Sequence, residues 1–378
     1  MELIIGIIGI FLLYQIQKRI YRQYWDKKLE VNVELDHQPI MEGKETTITE
    51  TISNSKKLAL PFLRIAYVLY CNHEIIEETS NKYERNYYRD FWVSVSINQK
   101  VTRKIRFLPK KRGFYRLKTI YLESPNIFLT EKRSKEVIAK SSLYVYPANV
   151  PIDKIKLPFD VLMQQYRTNQ FSLEDSDFRG IREYSAFDPM KYVNWKASAR
   201  SNELYVNVHE FSAKSEIYIL LNLTENIEEF EQIFEESIRI ACSMAVNLLQ
   251  KEVPVGLISN GVDCMTEKEI MITAATGKRQ MTLIKESLSR CVALRSLSDF
   301  SNLLNKCYSG KKSNQLFLII SSEHSKEIMG SYQKISKVAS NTLWIIPLYK
   351  EMDMNGLSNS SYVKRWEVNR NGKTGELS

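Results

Sequence analysis

The stretch SEIYILLNLT, residues 215–224, decides the fold of the second half of the chain, because it is a continuous apolar run that ends in polar residues. Such a run is typical of a parallel strand that is buried on both faces. In the segment that follows, apolar residues such as Phe230, Ile238 and Leu248 recur at helical spacing, with acidic residues between them. Three further apolar runs lie at 253–259, 314–321 and 342–349. Because strands alternate with helices, we expect a doubly wound, mostly parallel α/β domain over residues 151–352.

Ligands of such sheets bind beyond the carboxyl ends of the strands, so those ends are the first place to look for chemistry. No glycine-rich phosphate loop is present, which argues against nucleotide binding. Asp263, Glu323 and His324 are the only residues at the predicted strand ends that could supply an acid–base pair. The polar segment 353–378, beyond the last predicted strand, is expected to be a loosely ordered tail.

The segment 29–150 has a different period, because apolar and polar residues alternate in runs such as LEVNVEL. Short alternating strands separated by turn residues predict an antiparallel β-sandwich of immunoglobulin-like type. Basic residues concentrate at 103–118, which we interpret as a solvated strand pair. A surface for anionic lipid is the alternative, and binding of nucleic acid is not expected because a stacking platform of interleaved aromatic residues is missing.

The N-terminal segment 1–28 combines an apolar run at 3–13 with a basic, aromatic stretch behind it. The run is short for a membrane span, which needs about 20 apolar residues, but lysine and arginine side chains can snorkel to the interface. A cleaved signal peptide would carry its positive charge before the run. We therefore expect a single-pass anchor with the N-terminus outside and the bulk of the chain in the cytoplasm. A buried helix of a soluble domain is the alternative.

Composition adds weak constraints. The formal net charge of +9 favours anionic partners. The five cysteines have no CxxC spacing, so neither a disulfide framework nor a zinc site is indicated, and a reducing compartment fits best.

The segment REYSAFDPMKYVNWKASAR, residues 182–200, is unusually dense in charged, aromatic and small residues. Asp188 followed by proline predicts a helix start, with the helix running to Arg200 and a strand of the central sheet after it. Ser185 and Ser198 have no nearby histidine, which makes catalysis the weakest interpretation. An internal clasp of paired charges above Trp195, or a surface for a partner, remain as alternatives.

The segment from Asp177 to Tyr184, with Asp188 and the run VNWKASAR at 193–200, resembles the signature of the bacterial "domain of unknown function 58" family. The resemblance covers most of the chain. It implies an N-terminal membrane segment, a β-sandwich and a C-terminal von Willebrand factor A-like domain. It also implies a partnership with MoxR-type AAA+ ATPases. The residues expected to form the docking surface or clasp are Arg182, Glu183, Tyr184, Asp188, Trp195, Lys196 and Arg200.

Two departures from the family pattern bear on function. The family's Gly-Asp pair is Phe187-Asp188 here, and the metal-binding motif Asp-x-Ser-x-Ser is replaced by a segment that offers Asn222 and Thr224. Mg²⁺ prefers oxygen ligands that include carboxylates, so we expect no confident metal site and no cofactor. The predicted function is that of a non-enzymatic, membrane-tethered adaptor in protein-complex assembly or maturation. A hydrolase acting on cell-envelope material is the alternative.

Overall fold

The chain divides into two compact units, Met1–Ala148 and Asn149–Ser378, each described here by itself. The computed structural model describes residues 2–36, 38–71, 86–176, 178–185, 188, 190–201, 203–209, 215–223, 227–292, 299–309, 315–338, 342–352, 362–370 and 376–377.

The first unit begins with helix α1, Glu2–Tyr24. Its segment Leu3–Tyr24 has a mean hydropathy of 1.6 and is long and apolar enough to cross a membrane, although a signal sequence has the same properties. The large apolar side chains of residues 3–13 are exposed, so they do not pack into the core of this unit. Tyr21 and, just after the helix, Trp25 are buried in that core.

Two sheets follow α1 in the first unit. One has the order β1-β3-β6 and the other the order β2-β8-β7-β4-β5, and all pairings except β2 with β8 are antiparallel. Alternating residues of both sheets, among them Val33, Ile48, Ile65 and Leu117, enter one hydrophobic core. The strands are β1 Leu29–Leu35, β2 Ile40–Met41, β3 Thr46–Asn54, β4 Leu60–Cys71, β5 Tyr87–Val95, β6 Gln99–Phe107, β7 Gly113–Pro125 and β8 Lys132–Tyr146.

The basic segment 103–118 does not form the strand pair that the sequence suggested. β6 pairs with β3, whereas β7 pairs with β4 and β8 in the other sheet. Arg112, between them, is buried. The two basic strands therefore do not share one ladder, because sheet membership depends on long-range pairing that local composition does not encode.

The second unit contains an eight-stranded sheet of order β13-β12-β11-β15-β16-β17-β18, with β14 paired to β12. The strands from β12 to β17 in this order are parallel to one another, and β13, β14 and β18 are antiparallel to their neighbours. The four apolar runs of the sequence are four of the parallel strands. The elements are α2 Ile152–Ser176, β9 Phe178–Glu183, a 3₁₀ turn Met190–Tyr192, α3 Trp195–Ser201, β10 Tyr205–His209, β11 Glu216–Leu221, α4 Ile227–Gln250, β12 Val255–Asp263, β13 Glu269–Ala275, α5 Lys278–Arg290, β14 Cys291–Val292, α6 Phe300–Ser309, β15 Gln315–Ile320, α7 Lys326–Val338, β16 Leu343–Tyr349, β17 Val363–Val368 and β18 Glu376–Leu377.

Helices cover both faces of this sheet. On one face, residues of α2, α4 and α5 pack with Ile217, Ile219 and Leu221 of β11. On the other face, residues of α6 and α7 pack with Leu220 of β11 and Trp344 of β16. The burial of successive residues on opposite faces explains why β11 has no polar alternation.

The expectation of a loose tail after residue 352 is wrong for its described part. β17 extends the parallel sheet beside β16, and β18 closes its edge. Trp366 is fully buried, and its indole nitrogen donates a hydrogen bond to Glu236 Oε1 at 3.1 Å. The strand VKRWEV has only three apolar residues, so its sequence pattern is weak and its place depends on pairing with β16.

Helix α2 begins at Ile152 and includes Pro158. Ile155 and Leu162 of this helix enter the core. Pro158 lies beyond the first turn of α2, so its missing backbone N–H removes one intrahelical hydrogen bond.

Candidate functional site

The dense segment 182–200 lies beside a small two-stranded sheet. β9 pairs antiparallel with β10 in a sheet separate from the eight-stranded one, so β10 does not feed the central sheet as predicted. The hydrogen bond from Tyr184 N to Leu204 O, at 2.8 Å, extends this pairing beyond the strands. The connection between the two strands therefore has both of its ends fixed.

The helix in this connection starts later than predicted. Asp188 does not cap it. Instead α3 begins at Trp195, and Asn194 Oδ1 accepts a hydrogen bond from Ala197 N at 2.9 Å, as an N-cap side chain does. Ser198 is buried, and its hydroxyl accepts from Tyr205 N at 2.9 Å and donates to Asn194 O at 2.8 Å. Ser198 therefore ties α3 to β10 and is not placed as a nucleophile.

Asp188 pairs with Arg182. The guanidinium donates to both carboxylate oxygens, at 2.5 and 2.7 Å, and Ser185 N donates to Oδ2 at 2.9 Å. The hydrogen bonds from Arg182, and then that from Ser185, hold the pKa of the Asp188 carboxyl below its usual range. This bidentate pair is the one charge pair of the expected clasp that the structure describes.

Most residues of α3 are exposed. Trp195 is 63% exposed and does not lie beneath the charges. Lys196, Ala199 and Arg200 are also exposed, and at about 100° per residue the four occupy one side of α3. We call Trp195, Lys196, Ala199 and Arg200 the α3 face.

Other residues of the same substructure add to the exposed surface. Glu183 is exposed and Tyr184 is half-buried. The exposed apolar residues of β9, the 3₁₀ turn and the start of β10 are Ile181, Met190 and Leu204. Exposed apolar side chains that are rimmed by polar residues often mark interaction surfaces. Phe187 and Pro189 lie outside the described residues.

A second candidate lies where the strand order reverses, between β11 and β15. Asn222 donates through Nδ2 to Ser321 Oγ at 2.9 Å and to Glu323 Oε2 at 3.2 Å, and its Oδ1 accepts from Asn260 Nδ2 at 2.9 Å. Asn260 Oδ1 in turn accepts from Leu223 N at 2.8 Å. We call Asn222, Asn260, Ser321 and Glu323 the strand-end crevice. Asn222, Asn260 and Ser321 are buried.

The crevice does not fit a firmly bound Mg²⁺. The side chains that could ligate a cation there are amides and hydroxyls, with one carboxylate, that of Glu323. This carboxylate already accepts a hydrogen bond from Asn222. Hard cations require carboxylate charge to offset their dehydration. Within the described ranges, no group of three or more His, Cys, Asp or Glu residues could hold a metal ion. Thr224, the other candidate ligand, lies outside the described residues.

The three acid–base candidates are in different surroundings. Asp263 accepts a hydrogen bond from Arg290 Nε at 2.8 Å. Glu323 and His324 line a cavity of about 450 Å³. His324 Nδ1 lies 3.0 Å from the carbonyl oxygen of Ser322. Asp263 is therefore held by a structural ion pair, and only Glu323 and His324 face a common cavity.

Sequence reasoning missed the contact of Asn222 with Asn260 and Glu323. A usable signal existed, because these residues follow or end neighbouring parallel strands, and the carboxyl ends of such strands meet at one edge. The exposure of Trp195 had no comparable signal, since tryptophan is more often buried than exposed.

No family model matches the chain, and no curated protein sequence matches it. Among solved structures, it is similar to PapD-like domain 7 of human CEP192, at 13% identity over 32% of this chain and 87% of that one, with a TM-score of 0.21. It is also similar to the sporulation control protein Spo0M of Bacillus subtilis, at 11% identity over 42% and 58% of the two chains, with a TM-score of 0.20. Similarities this weak carry no argument about fold or function.

Proposed function

We propose that the chain is a membrane-anchored, non-enzymatic adaptor that binds a MoxR-type AAA+ ATPase through the α3 face. The observation that carries the proposal is the 63% exposure of Trp195 on a helix whose neighbouring Lys196 and Arg200 have no partner among the described residues. Exposed tryptophan and arginine are the residue types that dominate binding energy at protein interfaces. The ATPase itself comes from the resemblance to the "domain of unknown function 58" family.

The topology of the second unit supports the von Willebrand factor A-like part of that resemblance. The order β13-β12-β11-β15-β16-β17 reverses at β11, as in doubly wound sheets, and β13 is the antiparallel strand. The two sheets around one core in the first unit support an immunoglobulin-like sandwich.

The membrane part of the proposal places the N-terminus of α1 outside and the chain that follows α1 in the cytoplasm. Its support is the basic stretch that follows the apolar run, with Lys18, Arg19, Arg22, Lys27 and Lys28. Protease added to intact cells should therefore remove an N-terminal epitope tag and spare a C-terminal one.

The experiment is binding of the full chain, in detergent micelles, to a purified MoxR-type AAA+ ATPase encoded in the same genome. Trp195→Ala and Arg200→Ala should each weaken binding by about tenfold or more, because truncation of a central aromatic or arginine anchor costs about 2 kcal/mol or more. Trp92→Ala is the matched control, since Trp92 is 53% exposed on β5 of the other unit. Equal losses for Trp195→Ala and Trp92→Ala, or no binding by the wild type, contradict the proposal.

The hydrolase alternative depends on the cavity of Glu323 and His324. It predicts turnover of a cell-envelope substrate that His324→Ala abolishes and Trp195→Ala leaves unchanged.

A further inference from the structure

The turn between β7 and β8 presents three consecutive apolar side chains to the outside of the first unit. Ile127, Phe128 and Leu129 are 50%, 55% and 61% exposed. We call these three residues the apolar tip. A soluble turn is normally polar, so three exposed apolar residues in succession indicate a surface that contacts something apolar.

The backbone holds the apolar tip outward. Asn126 is buried, its Oδ1 accepts from Thr130 N at 2.8 Å, and its Nδ2 donates to Thr130 Oγ1 at 2.8 Å. Asn126 N donates to Glu131 O and Leu129 N donates to Asn126 O, both at 2.9 Å. The buried asparagine therefore organises the turn, and the apolar side chains project from it without contributing to the core of the unit.

The tip lies directly against α1. The rings of Tyr14 and Phe128 are 5.5 Å apart at an interplanar angle of 63°, and Tyr14 Oη lies 3.1 Å from Thr130 Oγ1. One helical turn later, Lys18 Nζ lies 2.7 Å from Glu131 Oε1. The apolar part of α1 and the apolar tip thus lie side by side.

The C-terminal end of α1 is fixed to the same unit. Tyr21 and Trp25 are buried in its core, and Tyr21 Oη is hydrogen-bonded to Ser124 Oγ, at the end of β7. Asp26 pairs with Lys135 of β8 at 3.0 Å. Helix α1 therefore extends away from the strands of the unit at the end that carries the apolar tip. Packed side chains, and not a linker, set its direction.

We propose that the apolar tip inserts into the lipid interface beside α1 and so seats the first unit on the membrane surface. This inference rests on the proposed anchoring of α1. Tyr14 precedes Lys18 by four residues, so the tip lies about 6 Å farther along the helix toward the bilayer than the lysine that marks the headgroup level. Interfacial apolar groups insert to about this depth. Arg19 and Arg22 are exposed on the adjoining turn of α1, where they can contact lipid phosphates.

The occupant is the boundary between headgroups and acyl chains, because the tip continues the exposed apolar surface of a helix that is itself apolar enough to span. A second copy of this chain or another protein would also cover apolar residues, and the experiment separates these outcomes from lipid.

The test uses the full chain reconstituted into phosphatidylcholine–phosphatidylglycerol vesicles, with an environment-sensitive fluorophore on a single introduced cysteine. Ile127→Cys carries the probe at the tip. Leu108→Cys is the matched control, since Leu108 is 49% exposed but lies before the start of β7, about 40 Å along the strand from the tip. Both are made with Cys307→Ser, because the other four cysteines are buried.

The expected result is that lipids spin-labelled near the top of the acyl chain quench the Ile127→Cys probe at least twofold more than the Leu108→Cys probe, while aqueous iodide does the reverse. Iodide quenching of both probes, in vesicles that carry the protein on flotation, overturns the inference and leaves the anchor standing. Protection of the Ile127→Cys probe from both quenchers also overturns it, since protein then covers the tip. Failure of the wild-type chain to float overturns the anchor and the inference together.

Discussion

The strand-end crevice and the α3 face both carry polar side chains of the second unit, but these side chains differ in their exposure and in their hydrogen bonds. In the crevice, Asn222, Asn260 and Ser321 are buried and hydrogen-bonded to one another. On the α3 face, Trp195 and its charged neighbours are exposed. The polar groups of the crevice are therefore hydrogen-bonded within the fold, whereas the charged groups of the α3 face are exposed to solvent.

This difference shows that the position of polar residues in a fold indicates function poorly unless their contacts are also known. Ligands usually bind at the carboxyl edge of a parallel sheet. Here the side-chain amides of Asn222 and Asn260 at that edge are hydrogen-bonded to each other. The exposed aromatic and cationic groups lie instead in the connection between the two short strands β9 and β10. General rules that relate a fold to its ligand site do not point to such a connection. Three experiments test the comparison.

The largest effect on stability is expected in the crevice. Asn260→Leu removes the hydrogen bonds that Asn260 makes to Asn222 Oδ1 and Leu223 N, and each buried hydrogen-bond partner that is lost costs about 1–3 kcal/mol of unfolding free energy. Hydrogen exchange of β11 and β15, followed by mass spectrometry on the full chain in detergent, measures the loss. Asn302→Leu, at an exposed position of α6, should leave the exchange unchanged. Equal protection in Asn260→Leu and wild type would show that the crevice is not a structural network.

A smaller effect is expected for Asp188→Asn, which removes the carboxylate that Arg182 binds. Because the folded-state pKa of Asp188 is lowered, its contribution to stability is complete above the unfolded carboxyl pKa of about 3.9 and is lost as the pH falls through the lowered value. Hydrogen exchange of the segment 178–188 should thus be faster in the variant at pH 6, and the difference should shrink below about pH 4. Glu183→Gln, at an exposed neighbour, is the control. A difference that persists unchanged at low pH contradicts the role of the ion pair.

The smallest effect on stability is expected on the α3 face. Trp195→Ala and Lys196→Ala remove exposed side chains, so the unfolding free energy should change by no more than about 0.5 kcal/mol. Thermal unfolding followed by near-ultraviolet circular dichroism measures this change. A large loss of stability in Trp195→Ala would indicate that Trp195 is part of a clasp, and a loss of ATPase binding in the same variant could then no longer be assigned to docking.

The elements with strong local periodicity were predictable from the sequence. The runs that became β11, β12, β15 and β16 are largely apolar, and α4 repeats its apolar residues at helical spacing. β17 was missed because its six residues contain only three apolar ones, and Trp366 is buried through its pairing with β16 and its hydrogen bond to Glu236. In the candidate site, the segment 182–200 lies in the connection between β9 and β10 and at its ends. Its helix start was misplaced, however, because Asp188 binds Arg182 and Asn194 provides the cap.

The sequence by itself determined the apolar helix at the N-terminus, the change from a two-residue to a mixed strand–helix pattern, and the positions of the main strands along the chain. Each of these depends on the spacing of apolar residues within one short segment. Only the tertiary structure decided which polar groups are satisfied and which are exposed. Asn222 meets Asn260 and Glu323 across 38 and 101 positions of the chain, and Phe128 meets Tyr14 across a similar separation. Such contacts depend on how strands are ordered and helices are docked, and no local pattern of residue types encodes them.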